Sequence, residues 1–234
     1  GLGHVRYATK GTASNEEEMQ PFYVNAPYGI ILIHNGNLTN TRELTADMAQ
    51  RDRRHLNSSS DTELLLNVLA GELQNTTSTV DLDAERVFEA VERTHERIEG
   101  AYAVIAVIAG YGLLAFRDPF GIRPLILGRR PSTVPGAEGR DEWVVASESL
   151  VLENADYEVV REVEPGEAIF ITNEGELHSR QCAKDSVLAP CAFEYVYLAR
   201  PDSVMNGVSV YESRLRMGDK LADTIAKHLS LIHI

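Results

Sequence analysis

Cysteine is nearly absent. Cys182 and Cys191 are the two in 234 residues, too few for a disulfide framework, so a reducing, cytoplasmic setting is expected. Apolar runs are short, and none approaches the length needed to cross a bilayer. The opening residues Gly1-Leu2-Gly3-His4-Val5-Arg6 lack the basic-then-apolar layout of a signal peptide. Basic residues are also scarce: 22 Lys and Arg face 35 Asp and Glu, a formal net charge of −13. Nucleic acid and anionic membranes need clustered Lys and Arg, so neither is an expected partner, although a local basic pocket for a phosphate stays compatible. His4, His95, His178 and His228 are scattered without metal-ligand spacing. No initiator Met is present, and the chain reads as starting inside an element, so a fragment of a longer protein is expected. What is present, 44% hydrophobic residues with mixed charge, describes a soluble globular chain of one or two domains.

The most informative stretch is residues 30–40, IILIHNGNLTN. Residues 30–33 read as a short buried strand. His34-Asn35-Gly36-Asn37 then reads as a sharp turn, because Asn and Gly both tolerate positive φ. Such a turn can set an amide side chain beside a bare backbone N–H, and two neutral donors aimed at one point suit an oxygen that becomes negative in a reaction. An ordinary hairpin turn is the plainer reading. His34 reads as a satisfied histidine at a strand end.

Residues 4–7 read as a strand. Arg6 could clamp a carboxylate through two parallel hydrogen bonds, with Thr9 adding a hydroxyl; an exposed arginine on an edge strand is the alternative. Residues 38–51 have helical spacing, with Asn37 or Thr39 as the cap. Ser60-Asp61-Thr62-Glu63 is a capping-box pattern ahead of the apolar run 64–70. Asp61 either stabilises that helix start or also faces a ligand ammonium. Residues 83–98 form a second amphipathic helix. Adjacent strands are expected at 101–109 and 112–117, and a proline-punctuated connection at 117–124. Further strands are expected at 125–128, 143–147 and 157–163, then a hairpin of 168–172 with 176–180. Early helices and late strands indicate an α+β fold with mostly antiparallel sheet. Residues 181–190 read as a linker, 191–199 as an aromatic strand and 209–228 as a helix, with a domain boundary near Pro190.

Six pieces in order carry a resemblance. They are Gly3-His4-Val5-Arg6-Tyr7-Ala8-Thr9, His34-Asn35-Gly36-Asn37-Leu38-Thr39-Asn40, Ser60-Asp61-Thr62-Glu63, RDPFGIRPL from Arg117, ASESL from Ala146 and FEYVYLARPDS from Phe193. Together they resemble the class II glutamine amidotransferases of the N-terminal-nucleophile hydrolase class, and the last pieces point to the glutamine phosphoribosylpyrophosphate amidotransferase family. The resemblance implies a four-layer αββα sandwich that hydrolyses the glutamine amide. In the family, an N-terminal cysteine attacks and its own α-amino group handles the proton. Ammonia then displaces pyrophosphate from phosphoribosyl pyrophosphate, giving phosphoribosylamine for purine synthesis. Carried over, Arg6 binds the glutamine carboxylate, with Thr9 as a further candidate. Asp61 binds the ammonium, and the Asn35 side chain and Gly36 N–H form the oxyanion hole. Residues 1–190 would be the glutaminase domain, and 191–234 the opening strand and helix of a phosphoribosyltransferase domain.

The chain departs from the family in lacking a cysteine at its start, so the fragment is expected to be inactive. Cys182 reads as an unremarkable thiol. Cys191 resembles one ligand of the 4Fe-4S iron–sulfur cluster that some members carry, or it is a buried strand thiol. Mg2+ is expected in the absent transferase part, and a homo-oligomer is expected. Two alternatives stay open. One is a different acceptor, as in glucosamine-6-phosphate synthase, against which Lys10 stands where those enzymes often carry His. The other is a non-catalytic glutamine-binding module.

Overall fold

The computed structural model describes residues 1–5, 18–76, 81–136 and 139–228. Its first half runs β1 (Phe22–Val24), β2 (Ile30–Leu38), α1 (Thr41–Arg51), α2 (Asp61–Thr76), α3 (Ala84–Arg97), β3 (Gly100–Ile108) and β4 (Gly112–Arg117). Then follow β5 (Ile126–Pro131), β6 (Asp141–Ala146), α4 (Ser149–Asn154), β7 (Glu158–Glu162), β8 (Glu167–Thr172) and β9 (Leu177–Gln181). A π-helical turn (Glu194–Leu198), the short pair β10 (Val204–Met205) and β11 (Val208–Ser209), and α5 (Val210–His228) complete it.

Two sheets stack face to face. The first has the order β1-β2-β3-β4-β8-β9 and the second β6-β5-β7, and every paired strand is antiparallel. Strand alternation separates the faces of the first sheet. Ile30, Leu32, Val104, Leu114 and Phe170 pack with Leu65, Leu69, Val87 and Val91 of α2 and α3 in one core. Ala103, Ala115, Ile169 and Ile171 face Leu125, Leu127 and Val163 in a second core between the sheets. Helix α4 lies so close on the second sheet that a Cβ on Gly128 would sit 2.4 Å from Leu152 Cδ2. The order is therefore helix, sheet, sheet, helix, an αββα arrangement in the α+β class.

Four expectations need correction. The Asn-Gly turn does not form. Strand β2 continues through His34, Asn35 and Gly36 to Leu38, with nine residues in register with β3, from Ile30 opposite Ile108 to Leu38 opposite Gly100. A full-length partner strand outweighs the local turn preference. The positive φ of Gly36, 145°, is used inside the strand. A Cβ there would meet Ala101 O at 1.9 Å, so the glycine serves close backbone approach.

Neither Asn37 nor Thr39 caps α1; Asn40 holds the N-cap position, and its side chain instead ties Arg97 O and Glu99 N. The capping box is half formed. Ser60 Oγ accepts from Thr62 N at 3.2 Å, but Glu63 turns back onto Asn57 and Ser58. Burial works against the Glu63 carboxylate, yet those bonds hold its pKa below the ordinary value.

The expected strand over 191–199 is a π-helical turn. Phe193 and Tyr197 are about two-thirds exposed while Glu194 is 4% exposed, so no strand face exists there to bury.

Candidate active site

Among the described residues, β2 has no strand neighbour beyond Leu32 on its β1 side, since β1 pairs only as far as Phe22 opposite Leu32. Side chains fill that edge instead. Gln20 Oε1 accepts from His34 N at 2.6 Å and Gln20 Nε2 donates to His34 O at 3.0 Å, as a strand would. Asp61 Oδ2 accepts from Leu38 N at 2.9 Å. In an antiparallel strand, alternate amides point to the same edge. The Gly36 N–H therefore faces this edge between the two occupied positions. Asp61, at the first residue of α2, is drawn to the same end of β2. Along a strand of ~3.3 Å per residue, Asn35 and Leu38 lie about 10 Å apart, a spacing of the order of a glutamine molecule.

Asn35 projects from the opposite side of the strand to His34. Its Oδ1 accepts from Arg123 Nη2 at 2.6 Å and Nε at 3.2 Å, and its Nδ2 has no partner among the described residues. His34 is 3% exposed and turned to the helix layer, with Nδ1 3.3 Å from Thr62 Oγ1. Burial pushes its pKa down, against the opposing pull of the Asp61 charge, so it is a neutral core histidine.

The β4–β5 connection that supplies Arg123 is built on two buried groups. Asp118 accepts from Tyr102 N, Phe120 N, Ile122 N and Arg123 N. Burial raises its pKa in spite of these donors. Arg117, 1% exposed, donates to the carbonyls of Arg123, Val163 and Gly121 at 2.7–2.8 Å.

This connection is also where the later segment docks. Val187, Ala189 and Cys191 donate their N–H groups to Pro119, Phe120 and Ile122 carbonyls. Glu194 forms an ion pair with Arg123, 2.7 Å between Oε1 and Nη1. Glu148 Oε2 accepts from Arg200 N and Ser203 Oγ, and Asn206 N donates to Glu162. The RDPFGIRPL, ASESL and FEYVYLARPDS pieces thus meet in one joint.

Of the expected site residues, Asn35, Gly36 and Asp61 share the end of β2, while Arg6 and Thr9 lie outside the described residues. Cys191 is half-buried and lies in no strand, so it is not the buried strand thiol expected as the alternative; among the described residues no group of three or more His, Cys, Asp or Glu is placed to hold a metal. A single thiolate does not hold an iron–sulfur cluster. Cys182 is buried, and burial pushes its thiol up to about 12. Sequence reasoning missed Gln20, Arg123 and Glu194 as parts of the site, although two of the three sit inside the quoted motifs.

A family model described as a glutamine amidotransferase domain matches residues 4–153. The chain belongs to that family. Over 227 residues it is 54% identical to the amidophosphoribosyltransferase of Pasteurella multocida, covering 97% of this chain and 44% of that protein. The Escherichia coli amidophosphoribosyltransferase is 52% identical over the same coverage. The chain thus spans under half the length of these relatives. Among solved structures, a glutamine phosphoribosylpyrophosphate amidotransferase from B. subtilis complexed with ADP and GMP matches with a TM-score of 0.73 and 30% identity, over 94% of this chain and 43% of that one. The αββα sandwich is therefore the fold of this family's glutamine amidotransferase domain.

Proposed function

We propose that the chain is the glutaminase part of an amidophosphoribosyltransferase, which frees ammonia from glutamine to convert phosphoribosyl pyrophosphate to 5-phosphoribosylamine, opening purine synthesis. The observation that carries this reading is the end of β2, where an Asn35 amide whose Nδ2 has no partner among the described residues, an edge-facing Gly36 N–H and the Asp61 carboxylate stand together. Free glutamine is a zwitterion, and Asp61 matches its ammonium as Arg6, with Thr9, would match its carboxylate.

The nucleophile is proposed to be a cysteine N-terminal to residue 1. Its sulfur bonds to the amide carbon and the carbonyl oxygen takes the negative charge, which Asn35 Nδ2 and Gly36 N–H stabilise. Collapse breaks the C–N bond as the thiol's proton, taken up by the cysteine's own α-amino group, passes to the leaving nitrogen; ammonia departs, and water cleaves the thioester to glutamate and restores the thiol. Residues 191–234 would open the phosphoribosyltransferase part. The exposed apolar side chains Tyr211, Leu215, Leu221 and Ile225 on α5 support this, since such a stripe calls for a covering partner. Mg2+, and a 4Fe-4S cluster with Cys191 as one thiolate, would be completed outside this chain. A cytoplasmic homo-oligomer fits this reading; no described helix is long and apolar enough to cross a membrane.

The test is to supply the full-length protein with glutamine and phosphoribosyl pyrophosphate. Glutamate and pyrophosphate released together are expected, and residues 1–234 alone should release no glutamate. Glutamate without pyrophosphate would reassign the acceptor, to fructose 6-phosphate for example. Binding of glutamine without hydrolysis would leave a non-catalytic module.

A further inference from the structure

The Asn35 amide has one orientation that Arg123 accepts. A guanidinium donates hydrogen bonds and never accepts them. Its Nη2 and Nε both approach Asn35 Oδ1, at 2.6 and 3.2 Å. Flipped by half a turn, Nδ2 would confront two N–H donors, so the carbonyl end is fixed on Arg123 and Nδ2 is presented on the other side.

Arg123 is itself over-determined. Its carbonyl accepts from Arg117 Nε at 2.7 Å and its N–H donates to Asp118 Oδ2 at 3.4 Å. Its remaining Nη1 pairs with Glu194, whose side chain is 5% exposed. Glu194 lies in the π-helical turn of the segment that docks through Glu148, Glu162 and Arg117. A buried carboxylate in direct contact with a guanidinium is a strong constraint on where that guanidinium points.

We propose that Arg123 is a positioning residue. Held by Glu194, it orients Asn35 so that Nδ2, and not Oδ1, meets the developing oxyanion. Through Glu194 the segment after residue 190 has a hold on the oxyanion donor. This inference rests on the glutaminase reading.

The test uses the full-length protein and steady-state glutamine hydrolysis. Arg123→Gln can both donate and accept, and so permits the flipped amide. It should lower kcat about 10- to 100-fold, below the cost of deleting an oxyanion donor outright, with KM changed by less than about threefold. Arg123→Lys is donor-only and should recover most of that kcat. Glu194→Gln keeps the shape but not the charge and should lower kcat about three- to tenfold with KM unchanged. It decides the matter if Arg123→Gln melts well below the parent. An active parent whose Arg123→Gln or Glu194→Gln form keeps full kcat, or loses only KM, overturns the positioning role. A stably folded Arg123→Lys form no better than Arg123→Gln overturns the donor logic. A parent that never releases glutamate sinks the glutaminase reading, and this inference with it.

Discussion

Replacing Gly36 with alanine separates a strand from a turn at the centre of the site. In the structure, the added Cβ would lie 1.9 Å from Ala101 O and 2.9 Å from His34 Nε2, at a φ of 145°. Restoring ordinary contact requires β3 to retreat by about 1.5 Å, an overpacking cost of about 1–3 kcal/mol. The unfavourable φ adds about 1–3 kcal/mol. The total of about 2–6 kcal/mol is a large share of a stability of about 5–15 kcal/mol. For a domain of this size, that lowers the melting temperature by about 4–24 °C. Gly110→Ala is the matched control. Its φ of 87° carries the conformational cost, but nothing lies within 4 Å of the new Cβ. Thermal melts of the two variants in the full-length protein, followed by near-ultraviolet circular dichroism, should place Gly36→Ala clearly below Gly110→Ala. Equal melting temperatures would refute the close approach of β2 to β3, and with it the strand-edge placement of the Gly36 N–H.

Three further outcomes are expected. Asn35→Ala in the full-length protein should lower kcat for glutamine hydrolysis about 10²–10³-fold, whereas Arg6→Ala should mainly raise KM; initial-rate kinetics showing the reverse pattern would exchange the two roles. His95, bonded to Tyr102 Oη at 2.7 Å, is pushed by burial down to about 4. Its neutral form is the folded one, so its contribution is full above the unfolded value of about 6.5 and is lost as pH falls toward 4. Urea midpoints at pH 7 and 4.5 should show the parent losing about 2–3 kcal/mol more than His95→Gln, and parallel losses would contradict this. Asp118→Ala strands four backbone donors and should cost about 3–5 kcal/mol; a denaturation curve unchanged from the parent would show that Asp118 does not organise the connection.

The antiparallel pair β3 and β4, the hairpin of β8 and β9, and the helix α3 capped by Asp83 all follow from local pattern and could be read from the sequence. Two segments could not. The HNGN stretch carries a turn signal, but β3 offers each of its four residues a partner 64–70 residues away, and local chemistry has no view of that. Around Glu194, aromatics at every second position imitate a strand. The actual demand is for the acid to reach Arg123 while the rings stay outside, which a helical turn satisfies. The site followed the same division. Asn35, Gly36 and Asp61 were recognisable as residue types in a motif, whereas the bond from Arg123 to Asn35 spans 88 residues and exists only in the folded chain.

A crystal structure of the full-length protein with glutamate in the glutaminase site is the most direct examination of the account. One carboxylate oxygen of the bound side chain should lie about 2.7–3.1 Å from both Asn35 Nδ2 and Gly36 N, with the Asp61 carboxylate on the ammonium and Arg123 still on Asn35 Oδ1. Glutamate seated away from the end of β2, or met there by Asn35 Oδ1, would contradict it.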